Sequence, residues 1–421
     1  KYTYDSGVDG PDGDEGAIYT DILLEVLYAD DNDADLSNGT PNDIAIISAF
    51  NLHGITLLSN AVISHNPVIS SSGGSDILIA ATVGMTYPWA LGSANCYYKL
   101  NDASSWSTLV MNGNFSYNTT IPAQPSGTVV AYYLSLTDNY GNESAITPIA
   151  ANLSPNSKAN LPNFIMVGFE VVEEEDFDAN QGFWQTGGQT DNATTGMWEI
   201  GIPIPSYGDP NDISTICQTD AQHTPGGLQC AFTGNASSIN DGLGTNDVDG
   251  GHTTLYSPYY DLTSYVNPAF SYYRWYTNSP YSGANPGADW WQVMITDDGV
   301  NWKYVENNMS SDISWRKFAF RVSDYVNLTA DVQLKFIASD SIRLGQNLDG
   351  GSLVEAAVDD LVLYEGGENT TFVKEILADK AKLIKVTNLL GKIVDPTRVS
   401  DNITLFYIYD DGRVEKRLIF D

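Results

Sequence analysis

"TVVAYYLSLTDNYGN", residues 128 to 142, decides the fold class. Its first eleven residues are almost all β-branched, aromatic or aliphatic and contain no breaker, which reads as a strand. "DNYGN" then supplies the turn residues of a hairpin. The same alternation of short apolar runs and polar turns extends upstream, through "DILIAATV", "NCYYKLN", "WSTLVM" and "NFSYNTTI". Residues 61–155 are therefore expected to form one β-sandwich of about seven strands. Residues 156–162 form a linker, within the polar, proline-bearing stretch "ANLSPNSKANLPN".

Beyond the linker, residues 163–366 continue in the same style. "FIMVGFEVV", "AFSYYRWYT", "WWQVMITDD", "VQLKFIAS" and "EAAVDDLVLYE" are strands separated by wide loops, the pattern of a jelly-roll sandwich. Residues 1–60 differ. "AIYTDILLEVLYA" carries apolar residues at helical spacing. "TPNDIAIISAFNLHGI" predicts a second helix, with Thr40 as N-cap, Pro41 in the first turn, Asp43 favourable to the dipole and Gly54 as the stop. Residues 367–421 form a small unit that holds much of the scarce lysine and closes on a hairpin. The expected architecture is mainly β, a series of β-sandwiches preceded by a short α-helical segment.

Charge narrows the function. The 53 acids against 19 Lys+Arg give a formal net charge of -34, a field that repels nucleic acid and anionic membrane and attracts divalent cations. Nucleic-acid partners are excluded on that ground. No apolar run approaches the roughly 18 residues of a membrane-spanning helix. The chain opens on "KYTYDSGVDGPDGDEG" without a signal peptide, which suggests that something precedes it.

Between the two helices, Asp31, Asp33 and Asp35 alternate as in a calcium loop, but an EF-hand needs Gly at position 6 and Glu at position 12. Counting from Asp31, Leu36 and Asn42 stand there, so this is not an EF-hand. "NDVDGG" offers a further cation candidate, with Asp247 and Asp249 alternating before two glycines; a plain Asp-Gly turn is the alternative. Cys217 and Cys230 bracket a polar Gly/Pro loop and are expected to form a disulfide, two separate thiols being the other reading, whereas Cys96 reads as a buried, inert thiol. Among the aromatics, Trp275, Trp290 and Trp291 either stack on sugar rings or pack the core. Alternation along a strand sends about half of them inward.

Four resemblances add to this. "ADD" at 29–31 and "DLSNGTPNDIAIISAFNLHGI" at 35–55 resemble the final helices of gluzincin-type metallopeptidases. Zinc chemistry in that class needs His-Glu-x-x-His on one helix, and the four histidines, His53, His65, His223 and His252, supply no such pair. These 421 residues are therefore expected to have no catalytic zinc site and no enzyme activity, a zinc metallopeptidase being open only for a longer precursor. "TYPWALGSANCYYKLNDASSW" and "IPAQPSGTVVAYYLSLTDNYGN" resemble the immunoglobulin- or fibronectin-III-like spacers that follow such peptidases.

"TGMWEIGIP", "NDVDGGHTTLYSPYYDL", "SYYRWY" and "SLVEAAVDDLVLYE" are similar to MAM-like and carbohydrate-binding jelly-rolls of secreted bacterial proteins. That resemblance implies a structural calcium pinning first strand to last, with Glu170, Asp359 and Asp360 as ligands. Finally, "KLIKVTNLLGKIVDPTRVSDNITLFYIYDDGRVEKRLIFD" resembles the type A C-terminal sorting domain of type IX secretion substrates, with Gly391, Lys392, Gly412 and Lys416 in its signal elements. It implies export across the outer membrane of a Gram-negative bacterium, with the secretion machinery or its shuttle protein as partner. The combined expectation is the non-catalytic C-terminal part of a secreted or cell-surface protein, accessory to a metallopeptidase. The alternative is a surface adhesin that binds an extracellular glycan or protein.

Overall fold

The computed structural model of the protein describes residues 15–148, 161–178, 183–209, 211–224, 226–242, 244–283, 289–309, 313–340, 352–366, 383–388, 392–394, 403–409 and 414–419. It is mainly β, with two α-helices among the described residues, Glu15–Asp30 and Asp43–Asn51, preceding the sheets. Two compact units divide the chain, Lys1–Glu368 and Asn369–Asp421. No helix among the described residues is long and apolar enough to cross a membrane.

The first sheet shows how patterning becomes packing. Strand Ile77–Gly84 alternates buried and exposed residues along its whole length, and Ile77, Ile79, Ala81 and Val83 face one core. Leu23, Leu24 and Leu27 of the first helix and Ile47 of the second close that core. Strand Thr128–Asp138 is buried on both faces except at Thr137. Val130, Tyr132, Leu134 and Leu136 enter the same core, whereas Val129 and Ala131 pack on Phe164, Met166, Ala269 and Ala319. That strand is the wall shared with the larger sandwich, which is why its sequence lacks the polar alternation of a strand with one wet face.

Two expectations are corrected here. Strand Asn163–Val167 pairs with Thr128–Asp138, Met166 opposite Val129, so it belongs to the first sheet. The larger sandwich begins after Gly168, with strand Glu170–Glu175 pairing to Ser352–Glu365. The second helix is not capped by Thr40: the N-cap is Asn42, with no side-chain bond. The Thr40 hydroxyl donates to Asp30 Oδ2 at 2.7 Å, and Asn42 gives its backbone N–H and its amide to the same carboxylate. Asp30 thus binds the acidic loop to the end of the first helix, while Asp43 accepts a bond from the Tyr140 hydroxyl in the "DNYGN" turn.

The larger sandwich faces two antiparallel sheets. One orders Trp198–Gly201, Cys230–Thr233, Ser352–Glu365, Pro268–Gly283 and Arg316–Arg321; the other orders Gln185–Thr186, His252–Tyr256, Gln333–Ser339, Trp290–Thr296 and Trp302–Asn308. Phe270, Tyr272 and Tyr276 meet Trp291, Val293 and Phe336 between them. In the second unit, Leu383–Asn388, Ile403–Tyr409 and Val414–Ile419 form a three-stranded antiparallel sheet over Val386, Leu405 and Tyr407.

Candidate metal centre

One end of the larger sandwich gathers acids that the sequence scatters. Segment 246–251 lies beside strand Ser352–Glu365, where the Val248 N–H donates to the Val354 carbonyl at 2.9 Å and Val248 is wholly buried in the core. Two glycines press on this segment. A Cβ at Gly196 would stand 2.4 Å from Val248 N, and one at Gly234 would stand 1.8 Å from Asn246 O. Both have positive φ, so their lack of a side chain is needed for conformation as well as for space.

Asp247, held this way, is 2% exposed, and its Oδ1 has no hydrogen-bond partner. Burial pushes its carboxyl up to about 7, and the charge of Asp249 and then Asp340 adds to the rise, against backbone N–H groups of Val354 and of Asp247 itself. Asp249 is raised by burial and by Asp340, and accepts from the Thr195 hydroxyl. Asp340 is 5% exposed; it accepts the Gly250 N–H at 2.9 Å and returns its own N–H to the Gly251 carbonyl. Glu355, also buried, is raised well above the carboxylate range by burial and then by Asp247. Its oxygens accept from Gln218, Ser206 and Thr233. The hydroxyl of Tyr276, 1% exposed, also lacks a partner and feels Asp289 and Asp340.

Carboxylates repelling one another in a dry site have two outcomes: they keep protons, or they take a cation. Several buried oxygens from separate strands are what calcium uses. The atom carrying the fit is Asp247 Oδ1, because a buried carboxylate oxygen without a donor costs free energy that a cation would offset. Among the described residues, no three acidic, cysteine or histidine side chains are already gathered as a ligand set.

The expected set Glu170, Asp359 and Asp360 is not brought together. Glu170 is exposed and pairs with Glu365, six positions along the strand from Asp359 and so about 20 Å away. Asp359 and Asp360 sit at a bulge in Ser352–Glu365, Asp360 with φ +48°. Their oxygens are already engaged. Asp359 accepts the N–H of His223 at 2.7 Å and that of Asp360 at 2.9 Å; Asp360 bonds His223 Nδ1 at 2.5 Å and accepts the Thr224 hydroxyl. His223 stacks on Tyr273, so this acid pair fastens the 217–224 segment to the sheet and is no open cation site.

The expected Cys217–Cys230 disulfide is absent: both are free, buried thiols, as is Cys96. Cys230 packs with Phe232, Trp275 and Ala357, while the Cys217 carbonyl accepts from Trp275 Nε1 and the Thr277 hydroxyl. Trp291 is wholly buried and Trp275 is 6% exposed, which removes both from sugar stacking; Trp290 is half-buried. Lys392 gives its N–H to Asn388 Oδ1, and Lys416 is exposed on the last strand. Gly391 and Gly412 lie outside the described residues.

Sequence reading found Asp247 and Asp249 but missed Asp340, Asp289, Glu355 and Tyr276. The available signal was weak, an acid at each end of strands "VQLKFIAS" and "WWQVMIT". Comparison with protein-family models and with curated proteins finds no match for this chain.

Proposed function

We propose that the chain is the non-catalytic part of an exported, cell-surface or secreted protein whose larger sandwich is stabilised by calcium at Asp247, Asp249 and Asp340. The observation that carries the calcium reading is the buried, donorless Oδ1 of Asp247, a carboxyl that feels the charges of Asp249 and Asp340. Bound there, the ion would neutralise the mutual repulsion and tie segment 246–251 to the end of strand Gln333–Ser339; it would supply stability and no reaction. The export reading is supported by the likeness of "KVTNLLGK" and the closing hairpin to type IX sorting domains, and by the separate compact unit those residues belong to. Association with a metallopeptidase rests on the likeness of residues 29–55 to closing peptidase helices.

Scanning calorimetry of the intact protein tests the calcium reading. Excess calcium is expected to raise the melting temperature over excess chelator, since an ion that binds only the folded state stabilises it by mass action. Superimposable curves in both solutions would sink it.

A further inference from the structure

A cleft of about 640 Å³ opens where the two sandwiches meet, walled by the 99–106 turn of the first and by strands Trp302–Asn308 and Arg316–Arg321 of the second. The apolar contact of Val129, Ala131 and Phe164 with Ala319 forms its floor, so its shape is fixed by the junction of the sandwiches. Trp106, Phe318 and Tyr325 line it and are all partly exposed.

The charges in this cleft are specific. Arg321 is neutralised by Asp324, Nε to Oδ2 at 3.0 Å, and Glu306 by Arg274. Lys99 and Asp102 remain: among the described residues neither makes an ion pair or a side-chain hydrogen bond. Lys99 lies 4.8 Å over the Trp106 ring, and burial holds its pKa below the usual lysine value. A ligand that suits them must accept hydrogen bonds from an ammonium, donate to a carboxylate, add no net charge, and lay an apolar face on aromatic rings. Sugar hydroxyls both accept and donate hydrogen bonds, and the C–H face of a pyranose ring meets the last requirement. A free amino acid matches the two charges, but it is small for this volume and offers no ring face.

We propose that this cleft binds a neutral oligosaccharide, with sugar hydroxyls bridging Lys99 and Asp102 against the aromatic wall. The site is remote in sequence from Asp247 and does not depend on the calcium reading. The test is an array of neutral and acidic glycans probed with the intact protein, followed by titration calorimetry of the neutral hits and of free amino acids. Neutral glycans are expected to bind. Asp102→Ala and Lys99→Gln should each weaken binding about tenfold, the effect of losing one or two charge-assisted hydrogen bonds. Phe183→Ala, at an exposed phenylalanine that does not line the cleft, should leave binding unchanged. Circular dichroism of each variant separates lost binding from lost folding. A silent array, binding of acidic glycans or amino acids alone, or neutral binding untouched by both cleft variants overturns the proposal.

Discussion

Arg274 and Glu306 form an ion pair inside the larger sandwich, Nε to Oε2 at 3.1 Å, with side chains 1% and 0% exposed. They come from opposite sheets, Arg274 from Pro268–Gly283 and Glu306 from Trp302–Asn308. Glu306 also accepts from the Tyr272 hydroxyl at 2.6 Å and from Trp291 Nε1 at 3.0 Å, and the Arg274 guanidinium lies 5.4 Å over the Trp291 ring. Two charges removed from water are tolerated because both Glu306 oxygens are engaged, Oε2 also accepting from the Asn308 amide at 3.2 Å, and because the guanidinium has its counter-charge beside it.

Glu306→Ala is expected to cost about 3–5 kcal/mol, because it leaves a buried guanidinium without its counter-charge. Adding Arg274→Met should recover part of that loss. Chemical denaturation measures both. A double variant less stable than Glu306→Ala would show that the unpaired charge is not the cause.

Stability without calcium should fall as pH rises from about 4 to about 7. The folded state keeps a proton on Asp247 up to about 7, whereas the unfolded chain releases it near 3.8, so the folded state binds more protons across that window. Asp359, raised to about 7 by burial and by Asp360, acts in the same direction. Calcium bound at the proposed site would compete with the Asp247 proton, so its gain in melting temperature should be larger at pH 8 than at pH 5. Asp247→Asn should remove most of the calcium gain and flatten part of the pH dependence. Calorimetry at both pH values checks this, and an equal gain in wild type and variant would count against Asp247 as a ligand.

Gly234→Ala should lower stability by more than about 1 kcal/mol, since its Cβ would meet the Asn246 carbonyl at 1.8 Å and its φ is +43°. Gly141→Ala is the control: its φ is +86°, but a Cβ there meets nothing within 4 Å, so it carries conformational strain alone. Thermal melts of the two variants compare them directly; a loss no larger for Gly234→Ala would remove the steric argument.

All three thiols should resist a thiol reagent in the folded protein and titrate together on unfolding without reductant. Burial pushes Cys96 and Cys217 up to about 12 and raises Cys230 well above its usual value. One reactive thiol in place of three, in denaturant, would restore the Cys217–Cys230 bridge.

The sheets were legible because strand periodicity is local. "DILIAATV" alternates in the sequence and alternates buried and exposed in the structure. The exception, "TVVAYYLSL", was readable as a strand but not as a wall, since nothing local says that a second sandwich covers its other face. The N-cap was missed for a related reason: the Thr40 hydroxyl was claimed by Asp30, a long-range partner that helix propensity does not weigh.

Within the candidate site, local pattern was enough to mark two acids, Asp247 and Asp249, and the glycines that let the chain turn there. Only the tertiary structure brought in Asp340 from one sheet and Glu355 from the other, took Glu170 about 20 Å from Asp359, and paired Arg274 with Glu306. Residue pattern fixes which face of a strand is apolar, because that depends on neighbours two positions away. Which charges share a dry space depends on how strands distant in the chain are ordered across two sheets, and that order is set by packing of the whole core.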